Sequence, residues 1–175
     1  LDAGGDFALG NRGEGVEISG GTLGNLIKSN TISGNFFDGI GLFTGASGNE
    51  ITGNYIGTDV TGTLSVPNGS NGIVINGFAT DFETGDPLPI TGNVIGGTAG
   101  PDFFSPLPDR NIIAGNNAVG IAIVGPGASG NSVLGNWIGV DALENLRSNL
   151  GHGVLIASGA NSNASTPPTA APARN

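Results

Sequence analysis

Glycine followed by an alternating aliphatic pair recurs five times along the chain: Gly15-Val16-Glu17-Ile18, Gly39-Ile40-Gly41-Leu42, Gly72-Ile73-Val74-Ile75, Gly120-Ile121-Ala122-Ile123 and Gly153-Val154-Leu155-Ile156. After four of these, an asparagine with an aliphatic two places on is written twice, five residues apart. Asn25-Leu26-Ile27 leads to Asn30-Thr31-Ile32, Asn49-Glu50-Ile51 to Asn54-Tyr55-Ile56, and Asn131-Ser132-Val133 to Asn136-Trp137-Ile138. The third copy is interrupted between Asn93-Val94-Ile95 and Asn111-Ile112-Ile113. Self-similarity at this period predicts stacked supersecondary units, none of which can bury its apolar face alone.

The minimal unit runs from Gly15 to Asp38, 24 residues with three short extended segments. Alternation sends Val16, Ile18, Ile27 and Ile32 to one side and Glu17, Leu26 and Thr31 to the other. The segments are too short and too glycine-bounded for helices, and the Asn-Gly signals of hairpins do not recur at the strand ends from unit to unit. Strands recurring in one order should instead stack in parallel register. The expected fold is all-β, a parallel β-helix of about five coils with three short strands per coil. Its interior ladders would be Ile27, Ile51, Ile95 and Val133 in one column and Ile32, Ile56, Ile113 and Ile138 in another.

The asparagines share the inward parity of the aliphatics, which a corner explains. Asn tolerates the left-handed backbone of a sharp bend, and stacked side-chain amides hydrogen-bond from copy to copy. Three corner ladders are expected: Asn25, Asn49, Asn93 and Asn131; Asn30, Asn54, Asn111 and Asn136; and Asn11, Asn35, Asp59, Asn116 and Asp141. Coils ending in Asp continue into long loops, Val60–Asn71 and Ala142–His152, each with an Asn (Asn68, Asn149) four residues before the next strand. The third coil takes its extra length at Gly77–Gly92 and Gly97–Arg110. These excursions leave one domain, residues 1–162, followed by an Ala/Pro/Ser/Thr-rich tail, 163–175.

Two stretches carry a family resemblance. Gly53-Asn54-Tyr55-Ile56-Gly57-Thr58-Asp59, with Thr61-Gly62-Thr63 and Pro67-Asn68-Gly69 after it, and Arg110-Asn111-Ile112-Ile113-Ala114-Gly115-Asn116 are similar to repeats of bacterial secreted right-handed parallel β-helix proteins. The resemblance covers roughly residues 6–160 and implies a right-handed solenoid and a secreted or cell-surface location. It leaves function open, since the family holds polysaccharide lyases, glycosidases, epimerases and adhesins.

Charge narrows the partners. Five Lys and Arg stand against 14 Asp and Glu, a net charge of -9, which argues against nucleic acid and anionic membrane surfaces. Acidic oxygen-rich surfaces suit a hard cation such as calcium, for which Asp59, Asp141, Asp81, Glu83 and Asp86 are the candidates. Without cysteine there are no disulfides or thiolate sites. No apolar run reaches the ~18 residues of a membrane span. Opening at Leu1 with no Met suggests a processed or excised chain.

No catalytic constellation emerges. Gly151-His152-Gly153 resembles one motif of polygalacturonases, but the Asn-Thr-Asp and Asp-Asp motifs supplying their acid and base are absent. The Asp-Pro-His motif of mannuronan epimerases is also missing. A lyase base would have to come from Lys28, Arg110, Arg147, Arg12 or Arg174, which fall at different repeat phases. One outward column, Phe7, Thr31, Tyr55, Ile112 and Trp137, gathers the single Tyr and single Trp on one face. It is expected to stack on sugar, to meet another protein, or to lie under the Asp-led loops.

The ends complete the reading. Leu1 and Asp6 fall at the phase of Asn25 and Asn30, and Asn163 also falls at the phase of Asn25. Leu1–Glu14 and Gly153–Ser162 together make one 24-residue coil. The expected partners are therefore other copies, head to tail, in an extracellular filament, or neighbouring coils of a longer solenoid; a polysaccharide is the alternative.

Overall fold

The computed structural model describes residues 4–5, 8–97 and 109–166. Every element among them is a strand, and no helix is long and apolar enough to cross a membrane. The glycine-led strands β1 (Val16–Ile18), β4 (Ile40–Phe43), β7 (Ile73–Asn76), β11 (Ile121–Val124) and β15 (Val154–Ala157) form one sheet in chain order. Strands β2 (Leu26–Lys28), β5 (Glu50–Thr52), β9 (Val94–Gly96), β13 (Ser132–Leu134) and β16 (Ala164–Thr166) form a second. A third holds β3 (Thr31–Ile32), β6 (Tyr55–Ile56), β10 (Ile112–Ile113) and β14 (Trp137–Ile138). Every pairing between these strands is parallel, so the chain is a parallel β-helix.

Register follows the repeat residue for residue. Ile27 pairs with Ile51, Ile51 with Ile95 and Ile95 with Val133. Ile32, Ile56, Ile113 and Ile138 stack likewise. Apolar side chains at like positions thus fill a continuous interior, in which Ile40, Leu42, Ile51, Ile56, Ile73, Ile75, Ile95, Ile113, Ile121 and Ile123 have no exposed surface. Removing a side chain of this size from water contributes roughly 1.5–3 kcal/mol.

A fourth, shorter column was missed by the three-strand reading. Strands β8 (Ile90–Thr91) and β12 (Ala128–Ser129) pair in parallel, with isolated bridges from Leu23 to Ser47 and from Ser129 to Asn161. Ala46, Ile90 and Ala128 point inward there and are fully buried. Its signal is the small residue in Gly45-Ala46-Ser47-Gly48-Asn49, repeated as Gly127-Ala128-Ser129-Gly130-Asn131.

The corners bend differently from expectation. No described asparagine has positive φ; throughout the first ladder it is the preceding residue that does, at Gly24 (66°), Gly48 (65°), Gly92 (66°), Gly130 (63°) and Ser162 (53°). Glycine takes the left-handed step at little steric cost, leaving the asparagine amide free to point inward. Beyond residue 162, Asn163 joins the first ladder and β16 extends the second sheet, so both lie in the stretch that the sequence reading assigned to the tail.

Candidate functional site

The asparagine ladders are the most extended polar feature. Asn25, Asn49, Asn93, Asn131 and Asn163 form the first, each Nδ2 donating to the next Oδ1 at 2.9 to 3.1 Å. Asn30, Asn54, Asn111 and Asn136 form the second. In the interior, the second amide hydrogen goes to a backbone carbonyl, as from Asn54 to Ile27 and from Asn111 to Ile51. Asn54, Asn93, Asn111 and Asn116 have no exposed surface, and this pairing offsets the cost of burying them.

The third ladder corrects the sequence reading. It runs Asn11, Asn35, Asn68, Asn116, Asn149, so Asp59 and Asp141 are not members. An ionised carboxylate only accepts and has no N–H to pass on, so it cannot carry a rung. Both aspartates instead lead hairpins that insert nine residues into a coil: Asn35 to Asn68 and Asn116 to Asn149 each span 33 residues, against 24 for Asn30 to Asn54.

Each carboxylate closes its own hairpin. Asp59 Oδ1 accepts from the Thr63 and Leu64 amides at 2.8 and 2.9 Å, and Oδ2 from the Thr61 hydroxyl at 2.6 Å. Desolvation works to raise its pKa, but the Thr61 hydroxyl and the loop amides outweigh it and hold the carboxyl below its ordinary 3.8. Asp141 Oδ1 accepts from the Leu143 and Asn145 amides at 2.8 Å. There too desolvation is outweighed, by the Asn145 and Leu143 hydrogen bonds and the charge of Arg147. Asp81 is held low by the amides of Thr84 and Glu83, again as a turn cap. Among the described residues no three His, Asp or Glu side chains gather to hold a metal; Asp81, Glu83 and Asp86 share a loop without converging.

The two hairpins pack on each other across the intervening coil. The Ala142 amide donates to Gly62 O at 2.9 Å, and Arg147 Nε to Thr63 O at 2.9 Å. The first lies against Tyr55 of the outward column, whose register Thr31–Tyr55–Ile112–Trp137 is as the repeat predicts. Gly62 sits so close to the Tyr55 ring that a Cβ there would lie 3.3 Å from Cζ. Ile112 is fully buried and so is lost as a contact residue, while the Arg110 guanidinium stacks 4.5 Å from the Trp137 ring centre. Phe7 lies outside the described residues. Lys28 pairs with Asp109 at 3.2 Å, and His152 is an exposed loop residue.

The end faces differ from the sides. At one end β1, β2 and β3 are sheet edges; at the other, β14, β15 and β16. Ile156 holds the inward position of the fully buried Ile123, yet is 41% exposed. Asn163 at the phase of Asn25 also changes the division of the split coil: Asn163–Thr166 stand where that reading placed Leu1–Gly4. The remaining positions correspond to Gly5–Glu14, of which Asn11 already stacks under Asn35. Residues 1–3 lie outside the described residues. No family model, no curated protein and no solved structure matches the chain.

Proposed function

We propose that this chain is a structural β-helix unit of the extracellular surface, one that assembles by adding coils at its ends. The observation that carries this reading is the half-open apolar column at Ile156, flanked by strands that are outermost in their sheets among the described residues. Such a surface favours burial, and bare edges template further strands. Burying about four to six aliphatic side chains, at ~1.5–3 kcal/mol each, supplies on the order of 10 kcal/mol before ordering costs. The acidic charge suits a soluble exterior, and the repeat resemblance favours secretion. In a longer solenoid, the same faces would meet neighbouring coils of one chain.

Sedimentation velocity over a concentration series tests the reading, with negative-stain imaging of the same samples. Concentration-dependent growth into unbranched fibres is expected. A single species of about the chain mass, 17.2 kDa, at every concentration contradicts it.

A further inference from the structure

The ladders have a direction. In all three, the Nδ2 of one coil donates to the Oδ1 of the following coil, and in most rungs the backbone N–H of the same asparagine joins it, as from Asn25 to Asn49 (both 2.9 Å) and from Asn116 to Asn149 (2.9 and 3.0 Å). The first members, Asn11, Asn25 and Asn30, therefore turn Oδ1 acceptors toward one end. The last members, Asn136, Asn149 and Asn163, turn N–H donors toward the other.

The coil-opening glycines supply an independent observation. A Cβ at Gly15, Gly39, Gly72 or Gly120 would lie 2.6 to 2.7 Å from the carbonyl oxygen of the next opener, a distance no side chain tolerates. At Gly153 the nearest atom would be Ile138 Cγ2, at an ordinary 3.5 Å, and φ is not positive. Nothing within the described chain requires glycine there. A coil stacked beyond it does.

We infer that the face above Gly153 receives the Gly15 coil of a second copy, head to tail, with the donors of Asn149 and Asn163 meeting Oδ1 of that copy's Asn11 and Asn25. The inference rests on the assembly reading and adds its direction and its steric gate. Pairing like ends sets donors against donors or acceptors against acceptors, so a closed two-fold dimer is disfavoured and the contact propagates. Gly153–Thr166 of one copy and Gly5–Glu14 of the next together have the 24-residue length of the minimal coil.

Gly153→Ala tests this, because it should keep the wild-type fold and thermal midpoint while losing fibres. Its other face stays intact, so a minor fraction mixed into wild type should cap one end and shorten the fibres severalfold. Ile156→Lys, a charge at the half-open column, is the second blocking variant should Gly153→Ala fold poorly. Wild-type fibres with both variants assembling as wild type overturn the gate but leave the assembly reading standing. Wild type that never assembles overturns both.

Discussion

Ile123 and Ile156 pair directly in neighbouring strands, both facing inward, yet one has no exposed surface and the other is 41% exposed. The same contrast holds between Gly120, where a Cβ would strike the next coil, and Gly153, where it would not. Equal repeats therefore do not have equal energetics. What a residue contributes depends on whether a coil lies on both sides of it, as nearest-neighbour stacking requires.

The largest effect expected from this contrast is at the core. Ile56→Asp buries an unpaired charge between two coils and should leave the chain unfolded, whereas Ile156→Asp keeps its charge near solvent and should fold. Circular dichroism and solubility read both. A soluble Ile56→Asp protein with wild-type β signal would remove the inward assignment.

Next come the ladders. Asn116→Ala takes the buried acceptor from Asn68 Nδ2 and the side-chain donor from Asn149 Oδ1 and Ile56 O, and should cost about 1–3 kcal/mol per group left unpaired. Asn163→Ala, at the half-buried last rung, should cost less than about 1 kcal/mol. Denaturant titration compares them; equal losses would mean that the end rung is covered as fully as the middle one.

The smallest effect concerns the Asp-led hairpins. Folding lowers the pKa of Asp59 and Asp141, so their stabilisation is present above the ordinary carboxylate value of 3.8 and is lost as pH falls through the lower folded values. The wild-type thermal midpoint should therefore drop below that pH, and Asp59→Ala should show a shallower acid dependence. A steeper one would mean that Asp59 is not the group whose protonation loosens the hairpin.

Much of this architecture is readable from the repeat. Ile27, Ile51, Ile95 and Val133 stack as their spacing predicts, because side-chain alternation leaves one register that buries every aliphatic. The third ladder was misread at Asp59 and Asp141, although Asn68 and Asn149 stand four residues before the next opener, as Asn35 does before Gly39. Counting forward from Asn54 favoured Asp59; counting back from Gly72 picks Asn68. The insertion makes the two counts disagree, and only an amide can pass a hydrogen bond onward. The fourth column is hard to read in the repeat because Ala46 and Ala128 are too small to stand out as core residues. The burial of Ile112 is not derivable from periodicity, since the register Tyr55–Ile112–Trp137 says nothing of what packs on the outer face of the sheet.

Cryo-electron microscopy of the assembled wild-type chain tests head-to-tail growth most directly. Five coil openers per copy, at ~4.8 Å per coil, predict straight polar fibres with an axial rise of roughly 24 Å per copy. Single chains alone at high concentration, or fibres whose copies are related by two-fold axes, would contradict it.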